Sequence, residues 1–216
     1  MRHALLCLIG VLSAGPALGQ SAYVAGGIGM DVFRTTRVET GLGDAPAGGG
    51  EAVAFSVRVG TAVTDRWGVE LEVARAGEIA REVQRGLPLP LLTRALPIFE
   101  STVRLERRST TIDAVAWVAQ PVGGRVDLVY LGGVAFSRVA DELAFQPARR
   151  AGVGGIVAPR ATRTITYGTG PVAGLEARVR LTRRLMLVPG VRLHGVGGDS
   201  GRGWLLRPSA SVGWRF

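Results

Sequence analysis

The sequence predicts an all-β chain folded as an eight-stranded antiparallel up-and-down transmembrane β-barrel. Three observations lead to this fold class: an N-terminal export signal, eight segments in which apolar and polar residues alternate, and connections that are alternately short and long. The composition favours sheet and turn, since the 216 residues include 32 glycines, which weaken helix interiors. We expect one structural unit.

The first residues have the pattern of a cleavable signal peptide. Residues 1–3 carry positive charge, an apolar run extends from Ala4 to Leu12, and small residues follow as far as Gly19. The run is too short for a membrane-spanning helix, which needs about 20 apolar residues. We therefore expect a signal peptide at residues 1–19 and the barrel at residues 20–216.

Charge and cysteine content limit the possible partners. Cys7 is the only cysteine and lies within the predicted signal, so disulfides, cysteine-ligated metals and a cysteine nucleophile are not expected in residues 20–216. The formal net charge is +9, but the arginines are scattered singly along the chain. Export argues against a nucleic-acid partner, and we expect anionic lipid head groups instead.

Period-two alternation recurs in eight segments, and each predicts a strand. They are residues 22–33, 52–64, 67–76, 110–119, 127–137, 166–181, 185–196 and 204–216. The connections 64–66, 120–125 and 182–184 are short, whereas 40–51, 77–109 and 140–165 are long and 197–203 is of middle length. This sorting indicates short periplasmic turns and longer extracellular loops, with both termini on the periplasmic side.

The two faces of these segments differ in chemistry. One face is apolar, and the other interleaves small residues with charges of both signs. Because side chains just fill the interior of an eight-stranded barrel, we place the charged face inside, as structural filling in which opposite charges pair. The predicted lumen charge network comprises Asp31, Arg58, Glu70, Glu72, Asp113, Glu176, Arg178, Arg180, Arg192, Arg207 and Arg215.

The last segment places aromatic residues at both ends of one face. Counting back by twos from Phe216 gives Trp214, Val212 and, at the far end, Trp204. Aromatic residues at the two water–lipid boundaries are typical of transmembrane barrels. We predict these four residues and Trp67, which begins the third segment, as membrane anchors.

This ending resembles the C-terminal signature of outer-membrane β-barrel proteins: a terminal Phe, an aromatic residue two positions before it, and apolar residues at alternate positions. The eight-segment layout is similar to the small barrels of the OmpA/OmpX type. The resemblance implies a location in the bacterial outer membrane, contact with outer-membrane lipids and insertion by the barrel-assembly machinery. It concerns the barrel domain alone, and we expect no periplasmic domain after Phe216.

No catalytic, metal or cofactor site is expected. His194 is the only histidine after the predicted signal; the alternation places it on the inward face, and no serine lies two residues away. A structural histidine is the favoured interpretation. One histidine without cysteine does not make a metal site, and the glycine-rich pieces lack the lysine of a phosphate-binding loop.

The connection 77–109 contains the unusual run Leu87-Pro88-Leu89-Pro90. An apolar, proline-rich segment on the cell surface suggests contact with a surface ligand. Alternatively, the third and fourth strands extend beyond the membrane as a hairpin, with residues 98–108 as the return arm. We favour the hairpin.

Three functions follow from these patterns. The leading hypothesis is a non-enzymatic barrel with a structural or cell-surface interaction role through its extracellular loops. A narrow pore for small solutes is the alternative, and a lipid-modifying enzyme built on His194 is less favoured.

Overall fold

The computed structural model describes residues 22–35, 38–40, 43–45, 49–86, 100–147, 160–198 and 201–216. The predicted signal peptide 1–19 and the proline-rich run 87–90 lie outside these residues. The strands are β1 (Ala22–Thr35), β2 (Val38–Thr40), β3 (Gly43–Ala45), β4 (Gly49–Ala62), β5 (Trp67–Ala76), β6 (Ile79–Gly86), β7 (Glu100–Gly123), β8 (Val126–Pro147), β9 (Arg160–Arg180), β10 (Leu185–Gly198) and β11 (Gly201–Arg215). Within the described ranges, no helix is long and apolar enough to cross a membrane.

Eight of the strands close into an antiparallel barrel. Their order around the barrel is β5, β4, β1, β11, β10, β9, β8 and β7, and the pairing of β5 with β7 closes the ring. Each of the eight pairs with the next along the chain, as in an up-and-down barrel. The predicted fold class is therefore confirmed.

The hydrogen-bond register fixes the tilt of the strands. Starting at Tyr23, registered partners lead once around the barrel and return to Phe33, ten residues further along β1. The partners on the way are Gly60, Glu70, Val115, Gly133, Val172, His194 and Leu205. A shear of ten residues over eight strands corresponds to a tilt of about 40°, within the range of membrane barrels.

At the end of the barrel opposite the short turns, which we call the extended side, the strands are longer than the sequence predicts. Strand β6 pairs with the first part of β7, from Ile79 opposite Arg107 to Gly86 opposite Glu100, so the favoured hairpin interpretation is confirmed for these two arms, and residues 87–99 lie outside the described residues. The predicted connection 140–165 begins too early and ends too late, because β8 and β9 stay paired as far as Phe145 opposite Arg160, while residues 148–159 lie outside the described residues. The alternation of apolar and polar residues is weaker along these extensions, so the sequence pattern does not mark them as strands.

Two of the three short turns, at the other end of the barrel, have the same local structure. The hydroxyl of Thr64 accepts hydrogen bonds from the backbone N–H groups of Arg66 and Trp67, both at 3.2 Å. The hydroxyl of Thr182 accepts the equivalent bonds from Arg184 at 3.2 Å and Leu185 at 2.9 Å. A threonine that folds back onto the backbone two and three residues ahead stabilises a tight turn.

Aromatic side chains fill the lumen near these turns. Trp117 lies in an apolar cluster with Val115, Val129, Leu131, Ala135 and Val172, and Tyr23 packs with Met186 and Val188. Glycines on the facing strands leave the room: a Cβ on Gly68 would overlap the indole of Trp117, and one on Gly60 would overlap the ring of Tyr23. Gly68 and Gly60 therefore make room for the two aromatic rings on neighbouring strands.

Candidate functional site

The charged residues of the lumen come from all eight barrel strands except β8, and alternation turns them inward. Strand β5 shows the pattern, because Trp67, Val69, Leu71 and Val73 are exposed while Glu70 and Glu72 are buried. Nine of the eleven predicted lumen charges lie together, each at most 7% exposed. They are Asp31, Arg58, Glu70, Glu72, Asp113, Glu176, Arg178, Arg192 and Arg207.

Arg192 lies at the centre of this cluster. Its guanidinium contacts Glu70 at 2.5 Å, Glu176 at 2.6 Å and Glu72 at 3.2 Å. Arg58, on the opposite wall, contacts Glu176 at 2.7 Å and Glu72 at 3.2 Å. Arg58 also lies 3.8 Å from Glu70, so the two arginines share three carboxylates and link β4, β5, β9 and β10 across the lumen.

Arg207 forms a second group towards the extended side. It donates two hydrogen bonds to the carboxylate of Asp31, at 2.5 and 3.0 Å, which is the bidentate geometry of strong arginine–carboxylate pairs. It also donates to the hydroxyl of Thr111 at 3.0 Å and to Glu72 at 3.3 Å. Through Glu72 the two groups form one connected network.

Arg178 joins the network to the aromatic layer near the short turns. Its guanidinium lies 4.1 Å from the centroid of the Trp117 ring and 4.9 Å from that of Tyr23. It donates to the Tyr23 hydroxyl at 2.9 Å, and this hydroxyl donates in turn to Glu70. The positive charge of Arg178 is therefore stabilised by the two aromatic rings, by the Tyr23 hydroxyl and by a longer ion pair to Glu70 at 3.8 Å.

His194 is buried in the same lumen, 1% exposed, with Nε2 at 2.8 Å from Asp113. It supplies a fifth basic side chain beside five carboxylates. Sequence reasoning places the histidine on the inward face but does not predict its partner, since β10 and β7 are not neighbours and the contact crosses the lumen. Tyr23, Thr111 and Ser211 are uncharged hydrogen-bond partners of the lumen arginines. The sequence analysis does not predict these roles, although alternation places all three residues on the inward face.

Two predicted members lie outside the network. Arg180 has a side chain that is 43% exposed and pairs with Asp127 at 3.4 Å, and Arg215 is half-buried. Both stand at the ends of their strands beside the short turns, where water reaches the inner face. Alternation predicts which face of the sheet a residue occupies but not its position along the barrel axis. The prediction that Arg180 and Arg215 belong to the lumen network therefore needs correction.

The contrast between Arg178 and Arg180 makes a matched test, since both face inward on β9. We expect Arg178→Ala to lower the free energy of unfolding by about 3 kcal/mol, because it leaves Glu70 short of a cation and removes the stacking on two rings. Arg180→Ala should cost less than about 0.5 kcal/mol, since its pair is exposed. Urea unfolding in detergent micelles measures both, and equal costs would contradict this assignment.

The outer wall of the barrel is apolar and exposed. Of the predicted anchors, Trp67, Trp214, Phe216 and Val212 lie towards the short turns and Trp204 lies towards the extended side; all five are exposed. Trp204 and Trp214 are ten residues apart on one strand, which at a tilt of about 40° separates them by about 26 Å along the barrel axis. This agrees with the apolar band of about 25 Å in membrane barrels.

Comparison with known proteins identifies the fold. No protein-family model matches the sequence, and no curated protein matches it. Among solved structures, the crystal structure of Neisserial surface protein A aligns with a TM-score of 0.56 at 13% identity, covering 92% of this chain and 99% of that one. The fold is that of a small outer-membrane β-barrel.

A second solved structure agrees with this small outer-membrane barrel fold. A major outer membrane protein from Thermus thermophilus aligns with a TM-score of 0.55 at 15% identity, covering 92% of this chain and 100% of that one. The predicted resemblance is therefore confirmed at the level of the fold. In the described part of the chain, no group of three or more His, Cys, Asp or Glu side chains could hold a metal ion.

Proposed function

We propose that the protein is a non-enzymatic barrel of the bacterial outer membrane, with a structural or cell-surface interaction role carried by its extracellular extensions. The observation that carries the proposal is the lumen, whose charges are satisfied by one another across the barrel. Arg58, Arg192 and Arg207 are each at most 2% exposed, and each contacts two or more carboxylates. Residues arranged in this way stabilise the wall and contribute no reacting group.

The filled lumen also weighs against the pore. Arginines that line a water-filled passage stay in contact with its water. Here Arg192 and Arg58 reach carboxylates on β5 and β9 at once, so their side chains cross the lumen. An ion on this path would have to replace ion pairs that are buried and shared, which is costly.

The lipid-modifying enzyme has little support from the position of its candidate residue. His194 lies inside the barrel against Asp113, whereas membrane lipids contact the outer wall. A lipid head group would have to pass between hydrogen-bonded strands to reach the imidazole. The His–Asp pair fits a structural role, with the histidine as partner of a buried carboxylate.

The extended side offers the surface for interaction. Strand β8 continues nine residues beyond Arg138 to Pro147, which is about 23 Å at the tilt of the barrel. Strands β6, β7 and β9 accompany it as one sheet, and Arg107 holds Asp141 with two hydrogen bonds at 2.7 and 3.0 Å. We propose that this sheet and the predicted segment 77–109 present a contact surface for a ligand outside the cell, that outer-membrane lipids surround the wall, and that the barrel-assembly machinery inserts the chain.

Two measurements on the refolded protein test the proposal. Unboiled protein in phospholipid vesicles should migrate differently from boiled protein in gel electrophoresis, because a closed barrel resists detergent until heated. In planar bilayers it should show no steady conductance, since the lumen is filled. Recovery as a soluble protein with no heat-modifiable mobility would refute the membrane location, and stable single-channel steps would favour the pore instead.

A further inference from the structure

Among the arginines of the outer wall, Arg75 and Arg138 lie at the edge of the apolar band towards the extended side, on the two strands that flank β7. Arg75 is exposed on β5 and Arg138 is half-buried on β8. Thr110 of β7 stands between them, in register with Arg75 on one side and with Arg138 on the other. Registered neighbours lie about 4.8 Å apart, so the two arginines are about 10 Å apart across the threonine. Both guanidinium groups can therefore reach one ligand placed over Thr110.

The row directly below is apolar, two residues closer to the short turns on each strand. It consists of Val73, Ile112 and Phe136, which are also in register and are all exposed. In the row of Arg75, Thr110 and Arg138, the next registered residue is Tyr167 of β9. Its ring stacks on Phe136 of the apolar row, with ring centroids 6.0 Å apart. The wall thus changes from apolar to polar within two residues along three neighbouring strands, and the outer two of these strands carry arginine.

Arg75 and Arg138 have no carboxylate within ion-pair distance among the described residues. The neighbouring Arg108 differs, because it contacts Glu78 at 2.7 Å and so already has a counter-ion. Glu142 lies four residues beyond Arg138 on β8, opposite Arg163. Within the described ranges, the exposed Arg75 and the half-buried Arg138 therefore have no carboxylate partner.

We propose that Arg75, Thr110 and Arg138 form a binding site for a membrane lipid whose head group carries phosphate. Two arginines and a hydroxyl match phosphate oxygens, because guanidinium groups donate paired hydrogen bonds to such oxygens. The acyl chains of the same lipid would lie on Val73, Ile112 and Phe136. The site belongs to the outer leaflet in the proposed orientation, and it rests on the proposed membrane location.

The strand tilt suits such a ligand. A row of registered residues climbs about 3 Å per strand towards the extended side at a tilt of about 40°, so Arg75 is the deeper of the two arginines. A long arginine stem can lie along apolar wall while its charged end reaches the head groups. Both guanidinium groups can then lie at the depth of the head-group phosphate.

The test uses the protein refolded in a neutral detergent, with diphosphoryl lipid A as the probe and native mass spectrometry as the readout. We expect lipid A to bind more tightly than its dephosphorylated counterpart. Arg75→Gln combined with Arg138→Gln should weaken lipid A binding by about tenfold or more, because hydrogen bonds to charged groups are lost, and should leave the dephosphorylated lipid unaffected. Arg75→Lys with Arg138→Lys, which keeps the charge without the paired donors, should fall between.

The matched control is Arg183→Gln with Arg184→Gln, which removes two exposed charges from a short turn at the other end of the barrel. It should change lipid A binding by less than about twofold. Equal losses in both double variants, or equal affinity of the wild type for the two lipids, would overturn the site. Competition by inorganic phosphate at concentrations similar to the lipid would overturn the lipid as its ligand.

Heat-modifiable mobility of each variant separates this outcome from the proposed function. Variants that keep the mobility shift but lose discrimination between the lipids support the site. A wild type that forms a stable barrel and binds both lipids alike refutes the site alone. A wild type that forms no heat-modifiable barrel refutes the membrane location first.

Discussion

Replacing Arg192 by methionine should lower the free energy of unfolding by about 3–5 kcal/mol, because it leaves buried carboxylates without their shared cation. Arg192 contacts Glu70, Glu72 and Glu176 within 3.2 Å and lies 3.8 Å from Asp113. Methionine keeps most of the stem, so the loss reports the charge and its hydrogen bonds. Urea unfolding in micelles, followed by tryptophan fluorescence, measures the change.

A double-mutant cycle makes this expectation sharper. Adding Glu176→Gln to Arg192→Met neutralises one stranded carboxylate, so the double variant should be more stable than the sum of the two single changes predicts, by about 1–3 kcal/mol. Arg184→Met, in an exposed turn, serves as the control and should change stability by no more than about 0.5 kcal/mol. If Arg192→Met behaves like that control, the lumen charges are solvated and the structural role of the network is wrong.

The network explains why the interior mixes both signs of charge with glycine and aromatic residues. Near the short turns, Trp117 and Tyr23 fill the lumen because Gly68 and Gly60 make room. Above them the four arginines replace apolar filling, and each spans the width of the barrel to reach carboxylates on other strands. In the closed barrel, each of these four arginines lies within ion-pair distance of at least one buried carboxylate, which offsets much of the cost of burying its charge.

Parity along the chain predicts the faces of this barrel well. The identity of the eight barrel strands, the exposed aromatic anchors and the inward position of nine charges all follow from period-two alternation, because lipid demands an apolar outer face at every second residue. The pattern is reliable only inside the membrane. It therefore underestimated the lengths of β8 and β9, whose extensions lack clear alternation, and it placed Arg180 and Arg215 in the charge network although both lie beside the short turns.

Contacts across the lumen could not be predicted in this way. His194 meets Asp113, and Arg178 meets Trp117, only because the closed sheet has a shear of ten residues. The shear depends on the register of every strand pair, and a change of two residues in one pair would keep all faces correct while giving each arginine another partner. The row of Arg75, Thr110 and Arg138 depends on the register for the same reason.

Val57→Arg should destabilise the barrel in phospholipid vesicles by about 2–4 kcal/mol, because it places a charge on the lipid face near the middle of the apolar band. Val57 is 61% exposed on β4 and lies halfway between Val53 and Thr61, which are close to the two edges of the band. Val122→Arg makes the same change at a residue that is 67% exposed beside a short turn, and should cost less than about 1 kcal/mol. A water-soluble barrel would tolerate both substitutions, since each side chain is equally exposed. The difference between the two variants, measured by urea unfolding from vesicles, therefore shows whether lipid or water covers the outer wall, and equal stability of the two would place water there.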